Sequence, residues 1–280
     1  MDKGTLYLVG TPIGNLDDIT LRALKILKEA DLIAAEDTRH TRKLLSHFDI
    51  HTPLTSYYEH NKKTKGDYLI SLLQQGKMVA LVSDAGMPGI SDPGEDIVRD
   101  AVSAGIKVCP IPGPSASLSA LVVSALPTSR FVFEGFLPRE KKERRHRLSL
   151  LKEESRTIIL YESPYRIKDT LEELIEYLGD REAAAAREIT KRYEEVIRGS
   201  MGEILSYFKE HTPKGEFTLV LAGEAESKEG IPGTEEIREE LRRLILGGKL
   251  KKEAVKEVSR HYKIPKNDVY KISLEDDFEI

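Results

Sequence analysis

The sequence predicts an α/β protein: two α/β domains with a ligand cleft between them, and a small C-terminal helical segment. Three observations predict it. Short apolar strands alternate with helical stretches up to about residue 114, the pattern of a mostly parallel sheet flanked by helices. A second alternating series runs from 115 to about 225. Loops dense in glycine and proline follow several apolar runs, and in open α/β sheets ligands bind beyond the carboxyl ends of strands. Domains are thus expected at 1–114 and 115–225, with a linker at 226–234 and helices over 235–280.

The first domain is organised around Met78–Glu95. Met78 to Val82 is continuously apolar, as for a strand buried on both faces. Gly86, Gly89 and Gly94 with Pro88 and Pro93 force a loop that carries Asp84. Asp92-Pro93 reads as an N-cap and a first-turn proline of a helix to Ala104. Around this stretch, Leu6–Val9, Leu32–Ala35 and Ile106–Pro110 read as strands, and Pro53–Ser56 as an edge strand. Thr20 caps a helix bearing Leu21, Leu24, Ile26 and Leu27; a second helix runs to Phe48, and Tyr68–Leu73 lies on a third.

In the second domain, Ser115 or Ser117 caps a helix through Leu126. Arg130–Phe136 is aromatic and alternating, and Glu140–Lys152 is charged and helical. Thr157–Tyr161, Ala183–Ala186 and Phe217–Ala222 are strands; Pro164–Leu178 and Met201–His211 are helices. Past a Gly/Pro-bearing linker, Glu235–Leu246 and Lys251–Tyr262 show apolar residues at helical spacing. Lys251–Tyr262 and Asn267–Ile272, joined by a four-residue turn, resemble a helix-turn-helix.

Composition excludes several classes. A chain of 280 residues with 40% apolar and 32% charged residues is an ordinary globular protein. A net charge of −4 offers no global field for nucleic acid, so any such binding is local. The single cysteine, Cys109, excludes an intrachain disulfide and a cysteine-based zinc site, and is expected to be buried. The seven histidines lack ligand spacing, so no metal is expected. No apolar stretch is long enough for a bilayer and Met1–Gly4 is unlike a signal peptide; a cytoplasmic location with no membrane partner is expected.

Three loops are candidates for ligand binding. Gly10–Asn15 lacks both the G-x-G-x-x-G spacing of a dinucleotide loop and the lysine of a P-loop. Ser83–Gly94 is the loop described above. Pro112–Ser117 places a Pro-Gly turn before a helix, whose free N–H groups suit an anion. Three charged clusters sit where strands end: Glu36–Arg39, Tyr161–Arg166 and Arg187–Lys191. Acid beside base at such ends marks a polar site, or an ordinary salt-bridged strand end. Arg139–Arg147 holds six Lys/Arg against two Glu, a strip for phosphates or a solvated helix face, and Lys62–Lys65 is a smaller one.

As a set, these motifs resemble the tetrapyrrole methylase superfamily, the class III S-adenosylmethionine methyltransferases. The carriers are L-Y-L-V-G-T-P-I-G-N-L-D-D-I-T (6–20), A-E-D-T-R (35–39), V-S-D-A-G-M-P-G-I-S-D-P-G (82–94) and P-I-P-G-P-S-A (110–116). G-F-L-P-R (135–139), Y-E-S-P-Y-R (161–166) and R-E-I-T-K (187–191) continue them. Order and wording look like the branch acting on small-subunit ribosomal RNA. The tetrapyrrole branch has a G-x-G-P-G first loop where this chain has G-T-P-I-G, which argues against a corrin or sirohaem substrate.

The resemblance implies S-adenosylmethionine folded in the cleft, a homodimer, and ribosomal RNA or the small ribosomal subunit as partner. It implies methyl transfer to the ribose 2′-oxygen of a cytidine in the decoding region of 16S ribosomal RNA. Carried over by motif, the cofactor contacts are Pro12, Ile13, Asp84, Gly86, Met87, Ser115, Ala116 and Tyr161, with Glu162 beside them. A ribose hydroxyl is a poor nucleophile and gains from a general base, for which Glu36, Asp37 and Glu162 are the candidates. Arg39, Arg166 and Arg187 are candidates for RNA phosphates, as are Arg139, Lys141 and Arg144 of the basic strip. Two rival readings are a superfamily methylase for a small molecule or modified protein, diphthine-synthase-like, and a nucleic-acid-binding regulator using the C-terminal helices.

Overall fold

The computed structural model describes residues 3–224, 234–262 and 264–275. The described residues up to Gly223 form one compact unit, and those from Glu224 onward a second.

The first unit holds two five-stranded sheets. Strands β1 (Thr5–Val9), β2 (Leu32–Ala35), β3 (Leu54–Ser56), β4 (Met78–Val82) and β5 (Lys107–Ile111) pair in the order β3-β2-β4-β1-β5, every pair parallel. Helices α1 (Leu21–Glu29) and α2 (Thr38–His47) cover one face: Ala23, Leu27 and Leu45 pack with Ile33, Ala80 and Val82. Helices α3 (Lys62–Gln74) and α4 (Glu95–Ser103) cover the other, where Leu69, Leu73 and Ile97 meet Leu6, Val79 and Leu81. Alternate residues of β4 therefore enter opposite cores, which is why Met78–Val82 carries no polar face.

The chain leaves β1 toward β2 and leaves β4 toward β5, in opposite directions from two adjacent strands. Their carboxyl ends form a topological switch point, the place where ligands bind in open α/β sheets.

The second sheet joins β6 (Phe131–Phe136), β7 (Thr157–Glu162), β8 (Glu182–Arg187), β9 (Glu195–Ser200) and β10 (Phe217–Leu221) in the order β6-β7-β10-β8-β9. It is mixed: β6 and β7 are parallel, the other pairs antiparallel. Helix α5 (Ala116–Val123) lies on one face through Ala120 and Leu121. Helices α6 (Lys141–Leu151), α7 (Ile167–Leu178) and α8 (Met201–Glu210) cover the other, burying Leu148, Leu171, Leu174, Ile204 and Phe208.

The described residues of the second unit form three helices, α9 (Thr234–Leu246), α10 (Lys251–His261) and α11 (Lys266–Glu275). Ile237, Leu241, Val255, Val258 and Val269 form its own core. The expected linker lies outside the described residues apart from Thr234.

Several local expectations are corrected. Asp92 does not cap α4: the helix begins at Glu95 after Gly94, whose φ of 159° and close approach to Gly89 make the turn. Helix α5 ends at Val123, three residues early, because Ser124 turns its hydroxyl back onto the Leu121 carbonyl. Cys109 is half-buried within β5, an edge strand, with Arg22 beside its sulfur. Strand β9 was not expected, since Glu195, Arg198 and Gly199 mask its alternation at a solvent-facing edge. Lys62 is held by Glu59 and Asp96, so the 62–65 run is part of a packed helix start.

Candidate active site

Three loops from the first sheet meet at the switch point. Thr11 N–H donates to the Gly86 carbonyl at 2.9 Å, and Gly86 N–H donates back to Thr11 at 3.0 Å. Gly86 takes a φ of 81°, which its lack of a side chain permits. Gly10 touches Gly113: a Cβ on either would lie 2.8–2.9 Å from the other's backbone. The loops after β1, β4 and β5 are thus stitched into one wall. Ser115 caps α5 by accepting from Leu118 N–H and shares a 3.0 Å hydrogen bond with Ser117.

That wall faces the second sheet across a cavity of about 710 Å³. Of the residues expected to contact a ligand, Ile13, Gly86, Met87, Ser115, Ala116, Tyr161 and Glu162 line it. Pro12, Asp84, Glu36 and Asp37 do not line it. Asp84 accepts from Asp37 N–H at 3.0 Å and so ties the ends of β2 and β4 together. The opposite wall is aromatic: Phe133 and Phe136 both pack on Tyr161, with centroids 5.0 and 5.6 Å apart.

The carboxylates differ in what surrounds them. Asp37 takes three hydrogen bonds from the side chain and backbone of Arg39, which hold its carboxyl far below the usual carboxylate range. Glu36 is pushed up by burial and then by the charges of Asp92 and Asp84. Asp92 is pushed up to about 6, first by burial and then by Asp84, against a hydrogen bond from Ser83. Asp92 lines the cavity, and the sequence reading missed it by assigning it to a cap. The signal was its position: an acid in a loop dense in glycine and proline that follows a buried strand.

Glu162 is 2% exposed at the end of β7. Its oxygens accept from Ser163 N–H at 2.8 Å and from the Thr170 hydroxyl at 2.7 Å, with Arg166 at 3.8 Å. Arg144 is also buried. Its guanidinium donates to Thr170 at 2.8 Å and pairs with Glu173. Of the basic strip it alone turns inward, while Arg139 and Lys141 are exposed. Arg166 donates to the Leu137 carbonyl, Arg187 pairs with Glu195 at 3.4 Å, and Arg39 is exposed but committed to Asp37. The six basic residues expected at phosphates therefore do not form one cluster.

Lys191 bridges the two sheets' loops. It binds Glu188 and Glu216 at 2.9 and 2.8 Å, and its chain lies so close over Gly14 that a Cβ there would meet it at 2.3 Å. Glu188 and Thr190 in the same loop hold positive φ values of 49° and 68°. Such backbone persists only where its surroundings over-determine it, commonly at ligand sites.

Residues 5–205 match the family model of the tetrapyrrole (corrin/porphyrin) methylases. The chain belongs to this family. The methylase chain is 52% identical over 278 residues to the "Ribosomal RNA small subunit methyltransferase I" of Halalkalibacterium halodurans, covering 97% of this chain and 95% of that one. A Thermotoga maritima protein of the same name is 53% identical over 220 residues, 79% of this methylase but 99% of its own length. In fold the methylase is similar to a uroporphyrin-III-C-methyltransferase structure from Thermus thermophilus: TM-score 0.57, 21% identity, 79% of this chain and 94% of that one. No helix among the methylase's described residues is long and apolar enough to cross a membrane.

Proposed function

We propose that this methylase uses S-adenosylmethionine to methylate the ribose 2′-hydroxyl of a cytidine in the decoding region of small-subunit ribosomal RNA. The supporting observation is the chemistry of the cavity. Apolar loop residues and an aromatic wall enclose a space rimmed by Asp92, Glu162, Glu188 and Glu216, and the one ammonium lining it among the described residues, Lys191, is already engaged by two of these acids. A polyphosphate needs converging cations. A sulfonium with an apolar base and a zwitterionic tail instead suits acidic rims and the faces of Tyr161 and Phe133.

In this reading Ile13, Gly86, Met87, Ser115, Ala116 and Tyr161, which line the cavity, hold that cofactor, which supplies a methyl group already activated on sulfur. The chain then has two tasks. One is alignment of the acceptor, worth about 7–11 kcal/mol in well-oriented reactions. The other is removal of the hydroxyl proton. Asp92 combines the required position and basicity: it lines the cavity, and a group near 6 is ionised at neutral pH yet still accepts a proton. Glu36 backs it electrostatically, while Asp37 is too strongly stabilised as an anion by Arg39 to be an effective base. Glu162, wrapped by donors, anchors the far wall.

RNA as acceptor is supported by the names of the relatives and by the exposed cations Lys141, Lys142 and Arg145 on α6. A homodimer is supported by α5, whose Leu118 and Val122 are 50% and 70% exposed. The test is incubation with methyl-tritiated S-adenosylmethionine and small ribosomal subunits lacking the modification. Label recovered as 2′-O-methylcytidine is expected. Label absent from RNA, or found on a base, overturns the reading.

A further inference from the structure

A second recess, of about 490 Å³, opens beside the cavity. Ile90, Ser91, Phe133 and Phe136 line both chambers; Glu134 lines only the recess.

The recess is built by a bulge in β6. Phe133 pairs with Ile159 and Gly135 with Leu160, so Glu134 has no opposite residue on β7. Gly135 adopts a φ of 64°, a left-handed value that suits glycine. In a regular strand, residues three apart face opposite sides. The extra residue brings Phe133 and Phe136 onto the same side, both against Tyr161. Phe136 still keeps 56% of its surface exposed, and Ile90, across the recess, keeps 50%. A shallow slot results, open to solvent, with aromatic rings on one part of its lining and polar groups on the rest.

Its polar edge is Glu134. The side chain is 17% exposed, and Oε2 lies 3.3 Å from Arg147 Nε. Arg147 belongs to α6, the helix that carries exposed Lys141, Lys142 and Arg145. An aromatic platform, a largely buried acceptor held in place by a guanidinium, and a strip of cations alongside match one unstacked nucleotide of RNA. Proteins read such bases by stacking on aromatic rings and hydrogen bonding their edges. A carboxylate accepts from the exocyclic amine of cytosine, whereas uracil offers a carbonyl oxygen at that position and is repelled.

We infer that the recess at the β6 bulge is the nucleobase subsite, where Phe136 stacks the target base and Glu134 selects cytosine over uracil. The inference rests on the ribosomal RNA reading above. Ser91 lines both chambers and Asp92 follows it, so a nucleoside with its base in the recess presents its sugar at the boundary where Asp92 stands.

The experiment compares the full-length wild type, Glu134→Gln and Glu134→Ala. Substrates are small subunits carrying the native cytidine, or uridine, at the position the wild type methylates. S-adenosylmethionine affinity, measured by titration calorimetry, is expected to be unchanged in both variants, since Glu134 does not line the main cavity. The wild type is expected to favour cytidine strongly. Both variants are expected to lose about tenfold or more of that preference, chiefly through slower transfer to cytidine. Phe136→Leu is expected to raise the KM for subunits by about tenfold. Label in wild-type RNA with unaltered selectivity in both Glu134 variants overturns the subsite alone. No label in wild-type RNA overturns the ribosomal reading and the subsite with it.

Discussion

The Thr170 hydroxyl stands between two buried charges, donating to Glu162 Oε2 at 2.7 Å and accepting from Arg144 Nη2 at 2.8 Å. One small side chain therefore connects the cavity wall to the helix that carries the basic strip. Thr170→Val keeps the shape and removes both bonds. A buried polar group left without its partner costs about 1–3 kcal/mol, so Thr170→Val is expected to lower the free energy of unfolding by about that much. Thr170→Ser is expected to recover most of it. Equal denaturation midpoints for the valine variant and the wild type would show that the connection carries no stability.

Asp92 gives a pH signature with a definite sign. Burial raises its carboxyl from 3.8 to about 6, so between those values the folded chain holds a proton that the unfolded chain has lost. The stabilisation is complete below 3.8 and disappears as pH rises through about 6, on the order of 1–3 kcal/mol. Glu36, also raised, adds in the same direction. Asp92→Asn is expected to flatten this slope and to be the more stable protein at pH 7. Methyl transfer runs the other way: the wild-type rate is expected to rise with pH through about 6, and Asp92→Asn to lower it by about 100-fold or more. A variant with wild-type turnover would remove Asp92 from the chemistry.

Gly113→Ala places a methyl group 2.9 Å from the backbone of Gly10, where nothing flexible can yield. Overpacking of this kind typically costs about 1–3 kcal/mol, and the displaced loops should also weaken cofactor binding. Gly66→Ala is the matched control. It lies inside α3 with nothing within 4 Å of the added carbon, so it is expected to be neutral or to stabilise by up to about 1 kcal/mol. Chemical denaturation of the pair should separate them in opposite directions; matching shifts would deny the close contact between the two loops.

Ending the chain after Gly223 removes the second unit, which has a separate apolar core. The Thermotoga relative matches over 220 residues and nearly all of its own length, close to the extent of the first unit alone. The truncated protein is expected to fold and to bind S-adenosylmethionine with wild-type affinity. Its affinity for ribosomal RNA is expected to fall, with a shallower salt dependence if Lys252, Lys256 or Arg260 contact phosphates. Lost cofactor binding would mean that the first unit is incomplete without the second.

Most strands were legible because burial on both faces leaves a continuous apolar run, as in Val79–Val82 or Leu219–Leu221. The three loops were legible because glycine and proline admit few conformations. What the sequence concealed depended on long-range packing. Arg144 looks like its exposed neighbours until Thr170 and Glu173, 26 and 29 residues away, turn it inward. Asp92 looks like a helix cap until Gly94 makes the turn and leaves it facing the cavity. The β6 bulge has no signature beyond one glycine, and the two phenylalanines share a face only because of it.

The paired hydrogen bonds between Thr11 and Gly86 make two loops behave as a short piece of sheet. Their amides should exchange with deuterated solvent as slowly as those of the strands that lead into them, with or without a bound molecule. A wall held together by its own backbone hydrogen bonds requires little ordering on arrival of a ligand.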